Sequence, residues 1–362
     1  MPVLTYRFAM VSHGGEEILF ERRFAAGIVT LNRPQALNAL SLAMVLALRE
    51  KLEQWAADAA VTRVVIQAAG GRAFCAGGDI RAIYELHKAG RTTEAIDFWR
   101  KEYPLNAAIK HYPKPYVALV DGLCMGGGVG VSMHGSHRIA GDRFSFAMPE
   151  VGIGFFPDVG ATFLMPRLPG KTGTYLALTG NRIGAADAVA LGIATHRVAS
   201  ARFPEFLDVL CKSDDIGKVL ANFATDPGPV PLAPRRAVID RTFSGANVEA
   251  ILAALDREAT GTGDEAAFAR EQAATIRTKC PLSLKIALEQ MRRGPGLDFD
   301  EAMRTEFRIV SRVAHGHDFF EGIRAAVLDK DNAPRWNPPH LAEVSEAAVA
   351  AYFAPLAEEL PL

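Results

Sequence analysis

At 362 residues the chain can bury a full core and sits at the upper edge of one domain, so one large domain with an appended unit is expected. An apolar content of 49% and a charged content of 22% are ordinary for a soluble globular enzyme. A formal net charge of -1, with no basic stripe, argues against a nucleic-acid or membrane-surface partner.

Met1 to Gly15 lacks the basic-then-apolar pattern of a signal peptide, and no apolar run reaches the roughly 18 residues a membrane span needs, so a cytoplasmic location is expected. Cys75, Cys124, Cys211 and Cys280 are scattered, which suggests neither a disulfide framework nor a zinc site. Ile18 to Leu31 reads as a two-stranded hairpin ended by Asn32-Arg33-Pro34. Ser41 is the expected N-cap of a helix whose largely apolar stripe is Leu42, Val45, Leu46, Arg49, Leu52 and Trp55. The strand Val64 to Gln67 then leads into a glycine turn, Phe74-Cys75-Ala76-Gly77-Gly78-Asp79-Ile80.

Ile80 to Tyr112 has helical periodicity, and Tyr116 to Val120 reads as a second buried strand ahead of another glycine turn, Met125-Gly126-Gly127-Gly128. A short helix over Val129 to His134 and strands at Arg138-Ile139-Ala140 and Phe144-Ser145-Phe146 follow. This alternation implies a layered or spiral α/β core. Past Val198 strand signals fade; Asp226 to Pro231 reads as a linker, and Val248 to Leu255, Glu265 to Thr278, Ser283 to Met291 and Asp300 to Ala314 have helical spacing. The expected division is a core over residues 1–200 and a mainly helical region over 201–362.

Glycine lets the backbone turn sharply and lets a ligand approach it closely. Two glycine turns at the ends of two strands can aim one N–H each at a single point, which is how an oxyanion hole is built without charged side chains. Acyl chemistry is the expectation. A third stretch, Met148 to Gly160, sets Glu150 and Asp158 among apolar and turn residues. Burial of an unpaired carboxylate is costly and raises its pKa, which makes such residues acid/base or nucleophile candidates. On residue type alone, Glu150 capping one turn and Asp158 opening another account for the pair equally well.

The glycine turns, Asn32-Arg33-Pro34 with Asn38-Ala39-Leu40, and Pro149-Glu150 together resemble the enoyl-CoA hydratase/isomerase (crotonase) superfamily from about Gly27 to Val198. Gly126 to Ser132, Phe155 to Gly160 and Leu178-Thr179-Gly180 are similar to its 3-hydroxyisobutyryl-CoA hydrolase branch. So are Phe320 to Ala325, Asp329-Lys330-Asp331 and Arg335-Trp336. The resemblance implies an α/β fold, a crotonase-type ββα spiral core with a C-terminal helical extension. It implies thioester hydrolysis of a short 3-hydroxyacyl-CoA in valine breakdown, with CoA as part of the substrate and no separate cofactor or metal.

By the same resemblance Gly78 and Gly127 supply the oxyanion-hole N–H groups, Glu150 is the catalytic glutamate, and Asp158 is the second acidic group of the branch. Glu102 matches a substrate-contacting position, although one more charge on a helix beside Arg100 and Lys101 explains it as well. CoA contacts fall to the backbone at Ala36, Leu37 and Ala76. Hydratases of the superfamily carry a first glutamate where this chain has Gly130, so enoyl-CoA hydratase or isomerase activity is the alternative expectation, and a non-catalytic acyl-CoA-binding protein a third. Trimers and hexamers are common in the superfamily; a homo-oligomer is one expectation, and a helical extension covering those faces another.

Competing motifs fail on spacing. Gly170-Lys171-Thr172 lacks the earlier glycine of a phosphate-binding loop, because that place holds Met165. Val131 stands where a dinucleotide fingerprint started at Gly126 needs its last glycine, and His134 where a serine elbow at Ser132 needs its second. His134 with His137, and His315 with His317, lack a third ligand motif and read as structural.

Overall fold

A computed structural model describes residues 15–362; apart from Gly15, the expectation for Met1 to Gly15 falls outside the described residues. The chain opens with the expected hairpin, β1 (Ile18–Arg23) and β2 (Ala26–Leu31), paired antiparallel. Helix α1 (Leu42–Ala57) starts where Ser41 accepts the Met44 N–H at 3.2 Å. There follow β3 (Arg63–Ala68), β4 (Ala73–Cys75), α2 (Ile80–Lys88), α3 (Thr92–Lys110), β5 (Tyr116–Val120), β6 (Leu123–Met125) and α4 (Gly127–Gly130). Strands β7 (His137–Ala140), β8 (Ser145–Ala147), β9 (Ile183–Gly184) and β10 (His196–Arg197) complete two sheets.

The larger sheet runs β1-β2-β3-β5-β7-β10 and the smaller β4-β6-β8-β9. From β3 to β8 the chain places one strand in the larger sheet, the next in the smaller, and then moves on to another such pair, with helices after the first two pairs. That recurring advance is the expected ββα spiral. Pairing is parallel throughout except β1 with β2 and β8 with β9. Parallel sheets need both faces covered, and the central strand β5 is accordingly apolar without a break, every residue of it buried. Alternate residues then serve different partners. Val117 and Leu119 of β5 pack with Phe206, Leu210 and Phe223 from the helices Phe203–Lys212 and Ile216–Phe223, whereas Tyr116, Ala118 and Val120 join the main core on the other face.

All four long helices expected after residue 240 are present, as Val248–Ala259, Gly263–Arg277, Pro281–Arg293 and Phe299–Val313, and 226–231 is irregular. Their apolar residues Ile251, Ile276, Leu284 and Phe307 belong to the same buried cluster as Val64 and Phe74 of the spiral. Among the described residues no helix is long and apolar enough to cross a membrane.

Two local expectations are corrected. The helical stretch Ile80 to Tyr112 is two helices, because Gly90 takes φ +74 and turns the chain between them. The short helix expected over Val129 to His134 begins earlier, at Gly127, and gives way to turns after Gly130. Glycine permits this early start: a Cβ on Gly128 would lie 2.4 Å from the Cys75 carbonyl oxygen, so a larger residue could not wind so close to the first turn.

Candidate active site

The two glycine turns meet backbone against backbone. Leu40 bridges the first turn in parallel fashion, its N–H donating to the Gly77 carbonyl at 2.9 Å and its carbonyl accepting from Asp79 at 2.9 Å. That pairing uses the groups on either side of Gly78 and turns the Gly78 N–H the other way. Gly127, first residue of α4, has an N–H with no acceptor inside its own helix. Neither N–H donates to a turn, loop or side chain of the described residues. The Gly77 carbonyl carbon, one bond from the Gly78 nitrogen, is 3.3 Å from the place where a Gly127 Cβ would stand, so the two free N–H groups belong to touching peptides. Gly126 makes the close approach possible at φ +46, ψ -124, a conformation that L side chains rarely adopt.

Two carboxylates flank this junction. A Cβ on Gly126 would lie 3.2 Å from Glu150 Oε1, and one on Gly127 would lie 2.7 Å from Glu102 Oε1. Glu150 opens a short 3-10 turn after β8, and its Oε2 is buried without a partner. Glu102 lies on α3, where Arg100 stacks over Phe307 at 4.9 Å and Lys101 is exposed; Glu102 turns inward instead, 2% exposed, with Oε1 unpartnered.

Asp158, 4% exposed, receives a hydrogen bond from the Tyr103 hydroxyl at 2.9 Å, and Tyr103 follows Glu102 on α3. Burial drives Glu150 and Glu102 well above the ordinary carboxylate range, with the charge of Asp158 adding to the effect. Burial also lifts Asp158 to about 7 against the Tyr103 hydrogen bond that lowers it.

Ala36 and Leu37 close a short turn beside the first glycine loop, and the Ala76 N–H donates to the Leu37 carbonyl at 3.1 Å. All three are half-buried at the surface of the site. Asn38 fixes this turn from beneath: its amide donates to the Ala69 and Ala73 carbonyls at 2.9 and 3.0 Å and its Oδ1 accepts from Arg33 N at 2.8 Å. The structure thus gathers Glu102 and Glu150 at the meeting of the two glycine turns that carry Gly78 and Gly127, with Asp158 near enough for its charge to act on both carboxyls and with Ala36, Leu37 and Ala76 along the first turn.

Several groups escaped the sequence reading. The loop carrying Asp158 runs through Val159 at φ +52, a genuine outlier for a β-branched residue, into α5 (Ala161–Leu164). Such strain persists only where the surroundings over-determine it. Here three side chains do so. His134 Nε2 lies 2.6 Å from the Val159 carbonyl and, facing an acceptor, must carry the proton; burial holds this ring's pKa down at about 4, so it is neutral near pH 7. Gln290 donates to the Pro157 carbonyl at 2.8 Å and to Thr162 Oγ1 at 2.7 Å.

Glu306, from the helix Phe299–Val313, accepts the Gly160 and Thr162 N–H groups at 2.8 and 2.9 Å, one on each oxygen. Burial and then Asp158 push its pKa up to about 8. Helical spacing could have exposed Tyr103, one residue from Glu102; nothing local marks Glu306, 146 residues from Gly160. Glu306→Gln replaces one acceptor with an NH2 group facing an N–H. We expect a loss of about 1–3 kcal/mol in urea unfolding near pH 7, the usual cost of a buried donor left unpaired. An unchanged midpoint would mean that Glu306 does not hold the Asp158 loop.

Comparison with known proteins identifies the family. The profile of a family described as enoyl-CoA hydratase/isomerase matches residues 26–353. The protein named 3-hydroxyisobutyryl-CoA hydrolase, mitochondrial, of Danio rerio is 43% identical over 359 residues, covering 96% of this chain and 92% of that protein. Its namesake from Homo sapiens is 40% identical over 357 residues, covering 96% and 91%. Among solved structures, a carnitinyl-CoA dehydratase from Mycobacterium thermoresistibile superposes with a TM-score of 0.90 at 44% identity, covering 96% of this chain and 99% of that one. An enoyl-CoA hydratase from Rhodobacter sphaeroides 2.4.1 gives 0.88 at 40%, covering 96% and 100%. With its spiral of paired strands, its interlocked glycine turns and a family match running nearly end to end, the chain belongs to the enoyl-CoA hydratase/isomerase family.

Proposed function

We propose that the protein hydrolyses the thioester of 3-hydroxyisobutyryl-CoA, or of a similar short branched 3-hydroxyacyl-CoA, to the free acid and CoA, a step of valine breakdown. Its strongest support in the site is Glu150, a buried carboxylate with a free oxygen, set beside two touching peptides whose N–H groups are unused. The near full-length likeness to proteins named 3-hydroxyisobutyryl-CoA hydrolase supports the same reading.

In this reading the thioester oxygen accepts from Gly78 and Gly127, which stabilise the negative charge that develops on it. A thiolate leaves readily, so carbonyl attack is the demanding step. Glu150 either attacks the carbonyl carbon, expelling CoA thiolate and leaving a mixed anhydride that water opens, or takes a proton from an attacking water. Asp158 and Glu102 contact the substrate or the water, and the backbone at Ala36, Leu37 and Ala76 contacts CoA. No metal or redox cofactor takes part in this proposal, since polarisation of the carbonyl falls to the two N–H groups.

A second reading, hydration of an enoyl-CoA, draws on the names of the two solved structures of 44% and 40% identity. Against it stands Gly130, which offers no carboxylate on α4 beside the substrate. Free-thiol release from 3-hydroxyisobutyryl-CoA, run beside hydration of crotonyl-CoA, separates the two. We expect rapid thiol release with negligible hydration; hydration without thiol release would overturn the hydrolase reading. Homo-oligomerisation is part of the same proposal. A cytoplasmic location is part of the same proposal, while the relatives are named mitochondrial; fractionation of cells expressing the native chain distinguishes the two compartments.

A further inference from the structure

Asn106 is fully buried, and neither its Oδ1 nor its Nδ2 has a hydrogen-bond partner among the described residues. A primary amide can donate twice and accept twice, and native folds seldom bury one with all of that capacity unused unless a ligand or water completes it. Its position is not that of an incidental core residue. On α3 it stands one turn beyond Glu102 and three residues beyond Tyr103, on the face that supplies those two side chains to the site.

Gly130 lies directly beneath it. A Cβ there would stand 2.6 Å from Asn106 Nδ2, 3.1 Å from its Cγ and 2.9 Å from the Val159 Cβ. Glycine at 130 is therefore what admits the amide, and it holds the amide beside the loop that carries Asp158.

The placement also limits what the amide can bind. Glu102, Glu150, Asp158 and Glu306 already crowd this space with groups that burial makes reluctant to ionise. The same burial disfavours an anionic ligand group there. A neutral hydroxyl suits the amide on both sides, because Nδ2 can donate to its oxygen while Oδ1 accepts its proton. Gly127 and Gly130 are about 4.5 Å apart along α4, the scale of the reach from a thioester carbonyl to a hydroxyl on the third carbon.

We propose that Asn106 is a specificity-determining residue that holds the 3-hydroxyl of the acyl chain and so selects hydroxylated over plain acyl-CoA thioesters. The inference rests on the thioester-hydrolase reading above. Its test compares kcat/KM for thiol release from 3-hydroxyisobutyryl-CoA and from isobutyryl-CoA, which lacks only the hydroxyl. Wild type, Asn106→Leu and Asn106→Ala are used; leucine nearly matches the shape of asparagine and alanine cannot overpack, so one variant decides the matter if the other fails to fold.

We expect the wild type to prefer the hydroxylated substrate and either variant to lose about 30-fold or more on it while changing little on isobutyryl-CoA. An equal fall on both substrates would overturn the proposal and assign Asn106 to the attacking water. Unchanged rates on both would overturn it as well. Absence of thiol release by the wild type from either substrate would instead refute the hydrolase reading, and the proposal would fall with it whatever the variants do.

Discussion

Glu150→Gln is expected to fold normally and to lose at least about a thousandfold in kcat for thiol release, the scale on which loss of a nucleophile or base is felt. The substitution is nearly isosteric, and Glu150 Oε2 makes no hydrogen bond that glutamine would break. What disappears is the charge, which both routes to carbonyl attack require. That charge is held against resistance, since burial and then Asp158 raise the Glu150 pKa well above its ordinary value. The wild-type rate should consequently rise with pH through a limb displaced far above the usual carboxylate range of about 4.3.

Stability should move the other way. A carboxyl whose folded pKa is raised binds more protons in the folded than in the unfolded chain, so its contribution is present below the unfolded pKa and is lost as pH rises through the folded one. Glu150→Gln removes that loss. Its urea midpoint relative to wild type should therefore improve between pH 5 and pH 8, while its activity stays low at both. A variant retaining near-wild-type turnover would remove Glu150 from the mechanism.

The parts of the molecule legible in the sequence are those whose cause is local. Ser41 announced α1 because an N-cap needs only the N–H three residues on, and the glycine turns were visible because backbone contact leaves no choice of residue. Glu150 and Asp158 stood out as carboxylates among apolar neighbours, yet their residue types could not separate catalysis from turn capping. Their mutual charge effect, the free oxygen of Glu150 and the Tyr103 contact exist only in three dimensions.

Asn106 gave no signal, being a common polar residue on a helix until Gly130 is seen beneath it. Glu306 was invisible for a different reason. It lies in the helical region after residue 200, yet it fixes the first turn of α5 and with it the approach of Asp158. The strain at Val159 could not be foreseen either, since a valine at φ +52 is what local preference argues against and only its neighbours maintain.

The paired substitutions Gly127→Ala and Gly127→Pro test the oxyanion-hole N–H, because alanine keeps it and proline replaces its hydrogen with the ring Cδ. Each adds a Cβ at the same point, 2.7 Å from Glu102 Oε1 and 3.1 Å from Leu40 Cδ1, so each carries the same steric penalty at that point. Only proline deletes the N–H. Gly127 is the first residue of α4, the place in a helix where proline is best tolerated because the missing N–H had no helical acceptor. Both variants should lose activity through displacement of Glu102. Proline should lose about 10²–10³ more in kcat than alanine, the range measured when one oxyanion donor is removed. The ratio carries the information. Equal rates for two folded variants, as judged by their thermal melting, would mean that the Gly127 N–H holds no developing charge, and carbonyl polarisation would then have to come from elsewhere in the site.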